Sequence, residues 1–438
     1  MRYLYSLLIY LAAPLISVVF LWRGLRDRSY WRNFGERFGF GTAAAAPTIW
    51  VHAVSVGEVQ AAAPLVNSLR EHYPDVPIVV TTFTPTGGAR ARTLFKDRAQ
   101  VRYLPYDLPG AVRRFFARVQ PRVAIIFETE LWPNLYRECS RRRVPLLLAS
   151  ARLSSRSVGR YQRVGALFRE ILSRQGVVVA AQAESDASRF RSLGAAPDST
   201  YVTGNLKFDF TLPADIAARG RSLRAYYAAG RPVWVAGSTH GGGEEEALIE
   251  AQKLIRAREP RALLVMAPRH PNRFGDVAAQ LVSRGVRFIR RSQTPVAGSI
   301  AEAEILLLDT LGELLDFYAA ADVAFVGGSL VPIGGHNLLE PAALGLPILT
   351  GPNNSNSADA ARQLIACGAV EVVQGPRELA EKVLMLLSDP EARTRRGAQG
   401  STFVEANKGA LLKLLGLVVP LIDGTAPRAT GARAVTNH

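Results

Sequence analysis

Cysteine is nearly absent from this 438-residue chain: Cys139 and Cys367 stand far apart and in no metal-binding spacing. A disulfide framework is thereby excluded, and the usage fits a reducing compartment. Acid is also scarce, with 37 Asp and Glu against 53 Lys and Arg, a formal net charge of +16 and a pI near 10.3. Such a balance favours acidic partners: an anionic membrane surface, phosphorylated substrates or nucleic acid. A generally Arg-rich composition produces the same balance without a functional cause. The chain has no Asp-x-Asp pair, no Gly-Lys-Ser/Thr phosphate loop and no Gly-x-Gly-x-x-Gly fingerprint. Walker-type nucleotide hydrolysis and standard dinucleotide binding are therefore excluded. No self-similar period of about 20–50 residues points to a solenoid. The aromatics lie within apolar runs, not between Lys and Arg on one face, which argues against a nucleic-acid partner.

Charge is missing altogether from Tyr3 to Trp22, a run bracketed by Arg2 and Arg23. That length is what a helix needs to cross a hydrocarbon core. A signal peptide is the competing reading, but its apolar region should be only about 7–15 residues long. This run is longer, contains Pro14 and continues into Arg23, Arg26, Arg28, Arg32 and Arg37. The small-residue tract Ala43–Ala46 lies too far beyond it to mark a cleavage site. Residues 1–23 are expected to be an uncleaved anchor. Its basic flank belongs on the cytoplasmic side, and the body is then held against anionic lipid in the cytoplasm.

What is present is an alternation of short apolar runs with amphipathic stretches, the signature of parallel α/β sheets. Strands are predicted at Thr48–Val54, Ile78–Phe83, Arg122–Phe127, Pro145–Ala149 and Val177–Ala181. After a break between Gly204 and Pro232 the series restarts at Val233–Ala236, Ala262–Ala267, Glu304–Leu308, Val323–Val326 and Pro347–Leu349. Two Rossmann-like domains are expected, 24–210 and 211–424, facing a central cleft in the GT-B plan, with a disordered tail at 425–438. Ligands of open parallel sheets bind at the carboxyl ends of the strands, so residues just after each strand are the candidates. The topology alone says nothing about the sugar.

Four segments stand at such places. Ser55-Val56-Gly57-Glu58 follows the first strand and puts a carboxylate at a helix start. There it can take a proton from a substrate hydroxyl, or simply favour the helix dipole by a few tenths to about 1 kcal/mol. His52, on the strand itself, reads as a core residue. Phe127-Glu128-Thr129-Glu130 places two carboxylates at a buried strand end, which is costly unless something uses them. They can hold a divalent cation, support a neighbouring positive charge, or cap the helix beginning at Pro133; with no Asp-x-Asp pair, electrostatic support is favoured over metal. Lys207, in Gly204-Asn205-Leu206-Lys207-Phe208-Asp209, is either a solvated charge or an ammonium aimed at a ligand's carboxylate or phosphate.

In the second half, Arg269 emerges at a strand end, where a guanidinium can bind phosphate. Gly327-Gly328-Ser329-Leu330 and Gly334-Gly335-His336-Asn337 are glycine-rich. The second opens a predicted helix at Asn337–Leu344, whose N–H groups would face an anion. Glu340, one turn in, suits ribose hydroxyls.

Taken in order, SVGE, FETELWPN, GNLKFD, APRHP, LGEL and GGSLVPIGGHNLLEP resemble the 3-deoxy-D-manno-octulosonic acid (Kdo) transferase family of lipopolysaccharide biosynthesis. The likeness runs from the anchor to the final helices. It implies an inverting GT-B glycosyltransferase at the bacterial inner membrane, with CMP-Kdo as donor and lipid IVA, the lipid A precursor, as acceptor. Under that resemblance Glu58 is the general base for the acceptor's 6′-hydroxyl, and Glu128 and Lys207 support the transition state. CMP contacts fall on Pro268, Arg269, Leu311, Gly312, Glu313, Asn337, Leu338, Leu339 and Glu340. No cofactor and no metal are expected.

Overall fold

The computed structural model of the chain describes residues 2–162, 165–295 and 298–425. They form two compact units. One comprises the residues up to Phe210 together with the chain from Asn407 onward; the other is Thr211–Ala406.

The first unit carries a seven-stranded sheet: β1 Thr48–His52, β2 Ile78–Thr82, β3 Gln100–Tyr103, β4 Pro121–Phe127, β5 Leu146–Ala151, β6 Val177–Ala181 and β7 Thr200–Val202. Its order is β3-β2-β1-β4-β5-β6-β7 and every pairing is parallel. All five residues of β1 are buried, because a parallel sheet is covered on both faces and its central strands read as continuous apolar runs. Ile49 and Val51 pack into one layer while Trp50 packs into the other. The chain order reverses between β1 and β4, where His52 pairs with Ile126. The loops leaving these two strands therefore diverge and leave a crevice between them.

The second unit repeats the plan with β8 Val233–Thr239, β9 Leu263–Pro268, β10 Phe288–Arg290, β11 Ile305–Leu307, β12 Val323–Val326, β13 Ile348–Thr350 and β14 Val370–Val372. The order is β10-β11-β9-β8-β12-β13-β14, again parallel throughout. Its reversal lies between β8 and β12.

Two expectations about chain organisation need correction. The helix Ala410–Asp423 belongs to the first unit and not to a domain spanning 211–424. Ala410, Leu414, Leu417, Val418, Leu421 and Ile422 recur at helical spacing and fill the same apolar layer as Ile49 and Val51. Asp209 fixes its start by accepting the N–H groups of Gly409, at 2.6 Å, and Leu411. The N-terminal helix runs Arg2–Arg26, three residues beyond the expected boundary at 23. Tyr5 donates to Asp107 at 2.9 Å, Ser6 donates to Asn134 at 3.1 Å, and Ala13 packs with Tyr106, Leu108 and Ala111. One stripe of the helix is thus seated on the first unit. Opposite it Leu4, Leu8, Leu11, Leu15, Val18, Trp22 and Leu25 are exposed, alternately three and four residues apart and so on a single face. The expected tail lies, apart from Thr425, outside the described residues.

Candidate functional site

At the β1–β4 reversal of the first unit three carboxylates and two cations gather. Glu58 lies in the first turn of the helix Val56–His72. Its carboxylate accepts the Val54 N–H at 2.8 Å and the Ser55 hydroxyl at 3.1 Å, so it also fastens the turn that leads into the helix. Burial, with the Glu128 charge adding to it, pushes the Glu58 carboxyl up to about 6 against the pull of those hydrogen bonds and of Lys207. A capping glutamate in water would not behave so. A carboxylate of that basicity is matched to accepting a proton near neutral pH.

Glu128 follows β4 with a left-handed backbone, φ 57°, a conformation that costs a non-glycine residue of order 1–3 kcal/mol and that clusters at functional sites. The bend sends its two oxygens to different cations: Oε1 lies 3.8 Å from the Lys207 ammonium and Oε2 3.6 Å from the Arg152 guanidinium. Glu130 takes the Trp132 indole N–H at 2.8 Å. Burial and the repulsion of Glu58 raise its carboxyl to about 7. Structure therefore brings Glu58, Glu128 and Lys207 into one electrostatic cluster and adds Arg152 and Glu130 to it. His52 is fully buried beneath, its Nδ1 against Thr81 at 2.9 Å and its pKa lowered by burial to about 4. It is a neutral core group.

Ionised Glu58 is the form that can act as base, so activity should rise with pH through about 6 and level off above it. The limb should have unit slope in a plot of log kcat/KM. Loss of that limb in Glu58→Gln would tie it to this residue; an unchanged limb would assign it elsewhere.

In the second unit the first of the two glycine-rich loops is held by a carboxylate of the chain itself. Glu244, at the first turn of the helix Glu244–Arg256, is fully buried. Its carboxylate accepts four backbone N–H groups: His240 at 2.9 Å, Gly328 at 2.8 Å, Ser329 at 3.0 Å and Leu330 at 3.0 Å. The amides of Gly328, Ser329 and Leu330 thus face an anion, but it is the protein's own. A Cβ on Gly327 would lie 2.7 Å from the Ser238 carbonyl and 2.9 Å from Glu244, which is why glycine stands there. The predicted helix at Asn337–Leu344 also shrinks, to Leu339–Ala343. Asn337, just before it, accepts the Leu339 N–H at 3.0 Å, which occupies one of the first amides of the helix.

Of the remaining nucleotide candidates, Pro268 ends β9 and is buried, and Arg269 is exposed with its N–H on Thr239 at 3.0 Å. No carboxylate among the described residues pairs with the Arg269 guanidinium. Leu311 and Gly312 are exposed at the turn after β11, Gly312 with φ 87°. Glu313 is committed to Arg291, at 2.6 Å, and to Thr310. Leu338 and Leu339 are buried, leaving only their backbone for a ligand, and burial raises the Glu340 carboxyl.

Set beside known proteins, residues 32–210 match the family model described as 3-deoxy-D-manno-octulosonic-acid transferase (kdotransferase). The 3-deoxy-D-manno-octulosonic acid transferase of Haemophilus influenzae is 39% identical over 426 residues, covering 96% of this chain and 99% of that protein. The protein of the same name from Bordetella pertussis is 40% identical over 430 residues, 94% and 98% of the two chains. Among solved structures, a putative UDP-N-acetylglucosamine 2-epimerase from Listeria monocytogenes superimposes with a TM-score of 0.55 at 14% identity, covering 89% of this chain and all of that one. That likeness is one of fold alone: two parallel-sheet α/β domains of GT-B kind.

Proposed function

Because the chain belongs to the 3-deoxy-D-manno-octulosonic acid transferase family, we propose that it moves Kdo from CMP-Kdo to the 6′-hydroxyl of lipid IVA with inversion at the anomeric carbon. The observation that carries the mechanism is the Glu58 carboxylate, raised to about 6 beside a cation-flanked Glu128. In this reading the acceptor hydroxyl gives its proton to Glu58 and its oxygen bonds to the anomeric carbon. The bond to CMP breaks with its electron pair going to the phosphate. Lys207 and Arg152 offset negative charge on the donor's carboxylate or phosphate. The second domain holds the nucleotide through Arg269, the Leu311–Glu313 turn and the Asn337–Glu340 segment.

The donor is tested by thermal protection of the purified full chain. CMP should raise the melting temperature while UDP leaves it unchanged. Protection by UDP alone would replace CMP-Kdo with another nucleotide sugar. We further propose that transfer needs no divalent cation, since both oxygens of Glu128 are already matched to Arg152 and Lys207. Rates in EDTA should equal those in magnesium; a rate lost to EDTA and restored by magnesium would contradict this.

The inner-membrane reading rests on the helix Arg2–Arg26, which is long and apolar enough to cross a bilayer. Its seated stripe and its exposed apolar face together support a helix lying in one leaflet, with Arg23, Arg26 and Arg28 on anionic headgroups. Leu11→Asp with Leu15→Asp should release the protein from vesicles containing anionic lipid while transfer to detergent-dispersed acceptor persists. Retention on the vesicles would show that this face is not the contact.

A further inference from the structure

Three histidines converge at the β8–β12 reversal of the second domain, and none has a role so far. His240 follows β8, His270 follows β9, and His336 sits in the glycine loop after β12. The Nε2 atoms of His240 and His336 are 2.7 Å apart, with ring centroids at 5.0 Å and planes within 4°. A separation of 2.7 Å is too short for rings stacked face to face. The two imidazoles therefore lie edge to edge in nearly one plane, joined by a single N–H···N bond, so one proton is shared along this edge. His270 meets His240 edge-on at 5.2 Å.

The pair is firmly placed. Glu244 holds the His240 N–H, and the Ser357 hydroxyl donates to the His336 carbonyl at 3.1 Å. Gly328, at φ 69°, leaves the room the pair occupies: a Cβ there would lie 2.9 Å from the His336 ring. Charges facing the pair are mostly positive. Arg269 and His270 come from the end of β9, with Arg273 one turn beyond; the carboxylate of Glu245 is paired with Arg273 at 2.6 Å, and that of Glu244 accepts backbone amides. Burial and these neighbours depress both imidazoles, His336 to about 4. The free site thus concentrates positive potential and resists holding its proton.

We propose that His240 and His336, with His270 and Arg269, form a proton-linked subsite for an oxyanion of the sugar nucleotide, its phosphodiester or its sugar carboxylate. This deepens the reading that the second domain binds the nucleotide, and rests on it. An arriving anion neutralises the surrounding cations and favours the charged imidazole, so one proton enters from solvent with the ligand. Affinity is then greatest at low pH and falls as pH rises through the bound-state pKa.

The test is titration calorimetry on the full-length protein in two buffers of different ionisation enthalpy. The probe is the methyl ester of CMP, whose single phosphodiester charge does not titrate near neutrality. Cytidine and free Kdo serve as separate arms. The ester should bind with net proton uptake, roughly tenfold more weakly at about pH 8 than at about pH 6. His336→Gln and His240→Gln should bind it at the level of cytidine, without proton uptake and with a flat pH profile. Uptake with the ester assigns the phosphate, and uptake with free Kdo alone assigns the carboxylate. Absence of uptake with both the ester and free Kdo, or a variant that keeps the parent profile, overturns the histidine subsite and leaves the nucleotide reading standing. If neither cytidine nor the ester binds at any pH, the nucleotide reading itself fails and the subsite with it.

Discussion

Replacing Glu58 by Gln should lower the rate of Kdo transfer by about 10²–10⁴-fold, the usual contribution of one general base, while CMP still protects the protein against heat. Glutamine keeps an oxygen for the Val54 N–H and a group that can hydrogen-bond the Ser55 hydroxyl, so the turn after β1 survives. What it loses is the capacity to take a proton. Glu58→Ala should lose activity to the same degree and also about 1–3 kcal/mol of stability, because the part-buried Val54 N–H loses its acceptor. The two variants together separate chemistry from folding. Equal activity in the parent and Glu58→Gln would remove this residue from the base role. Loss of CMP protection in Glu58→Gln would show that it serves the nucleotide instead.

Glu244→Ala should destabilise the second domain by about 3–5 kcal/mol, the range for breaking a buried charged partnership. Four backbone N–H groups from two loops meet at this one carboxylate, which is itself fully buried. Glu244→Gln should cost less but still more than about 1 kcal/mol, because its NH2 faces donors and leaves at least one of them unpaired. Both variants loosen the Gly327–Leu330 loop and the His240 backbone, so CMP protection should weaken in parallel. Urea unfolding followed by tryptophan fluorescence reports this domain through Trp234, which is buried in its core. An unchanged midpoint for Glu244→Ala would mean that the loops hold without it.

Every interior strand of both sheets was legible, because burial on two faces leaves an uninterrupted apolar run. The four strands that escaped are β3, β7, β10 and β14, and these are the four sheet edges. Each is three or four residues long and half exposed, so Gln100-Val-Arg-Tyr or Phe288-Ile-Arg mixes polarity and carries no run to detect. The helix Ala410–Asp423 shows a different limit: its amphipathic pattern announces a helix but not which apolar layer receives it. Only the Asp209 cap and the shared layer with Ile49 decide that. For the proposed site, Glu58, Glu128 and Lys207 could be singled out as candidates because each stands just past a strand or a domain end, and the structure shows them close together. Arg152 was hidden among many arginines. Glu244 was hidden because three of its four partners lie 84–86 residues away. The Gly327–Leu330 loop was legible as glycine-rich, and three of its amides do face an anion. Its sequence could not reveal that the anion was a glutamate of the same chain, although three glycines followed by three glutamates at 241–246 mark the place.

The most direct measurement is incubation of the full-length enzyme with lipid IVA and CMP-Kdo generated in situ, followed by mass analysis and linkage determination of the lipid. The account predicts a lipid enlarged by Kdo, attached at the 6′-position with inverted configuration, and its disappearance with Glu58→Gln. A lipid left unchanged by CMP-Kdo, or one modified as fully by Glu58→Gln, would contradict it.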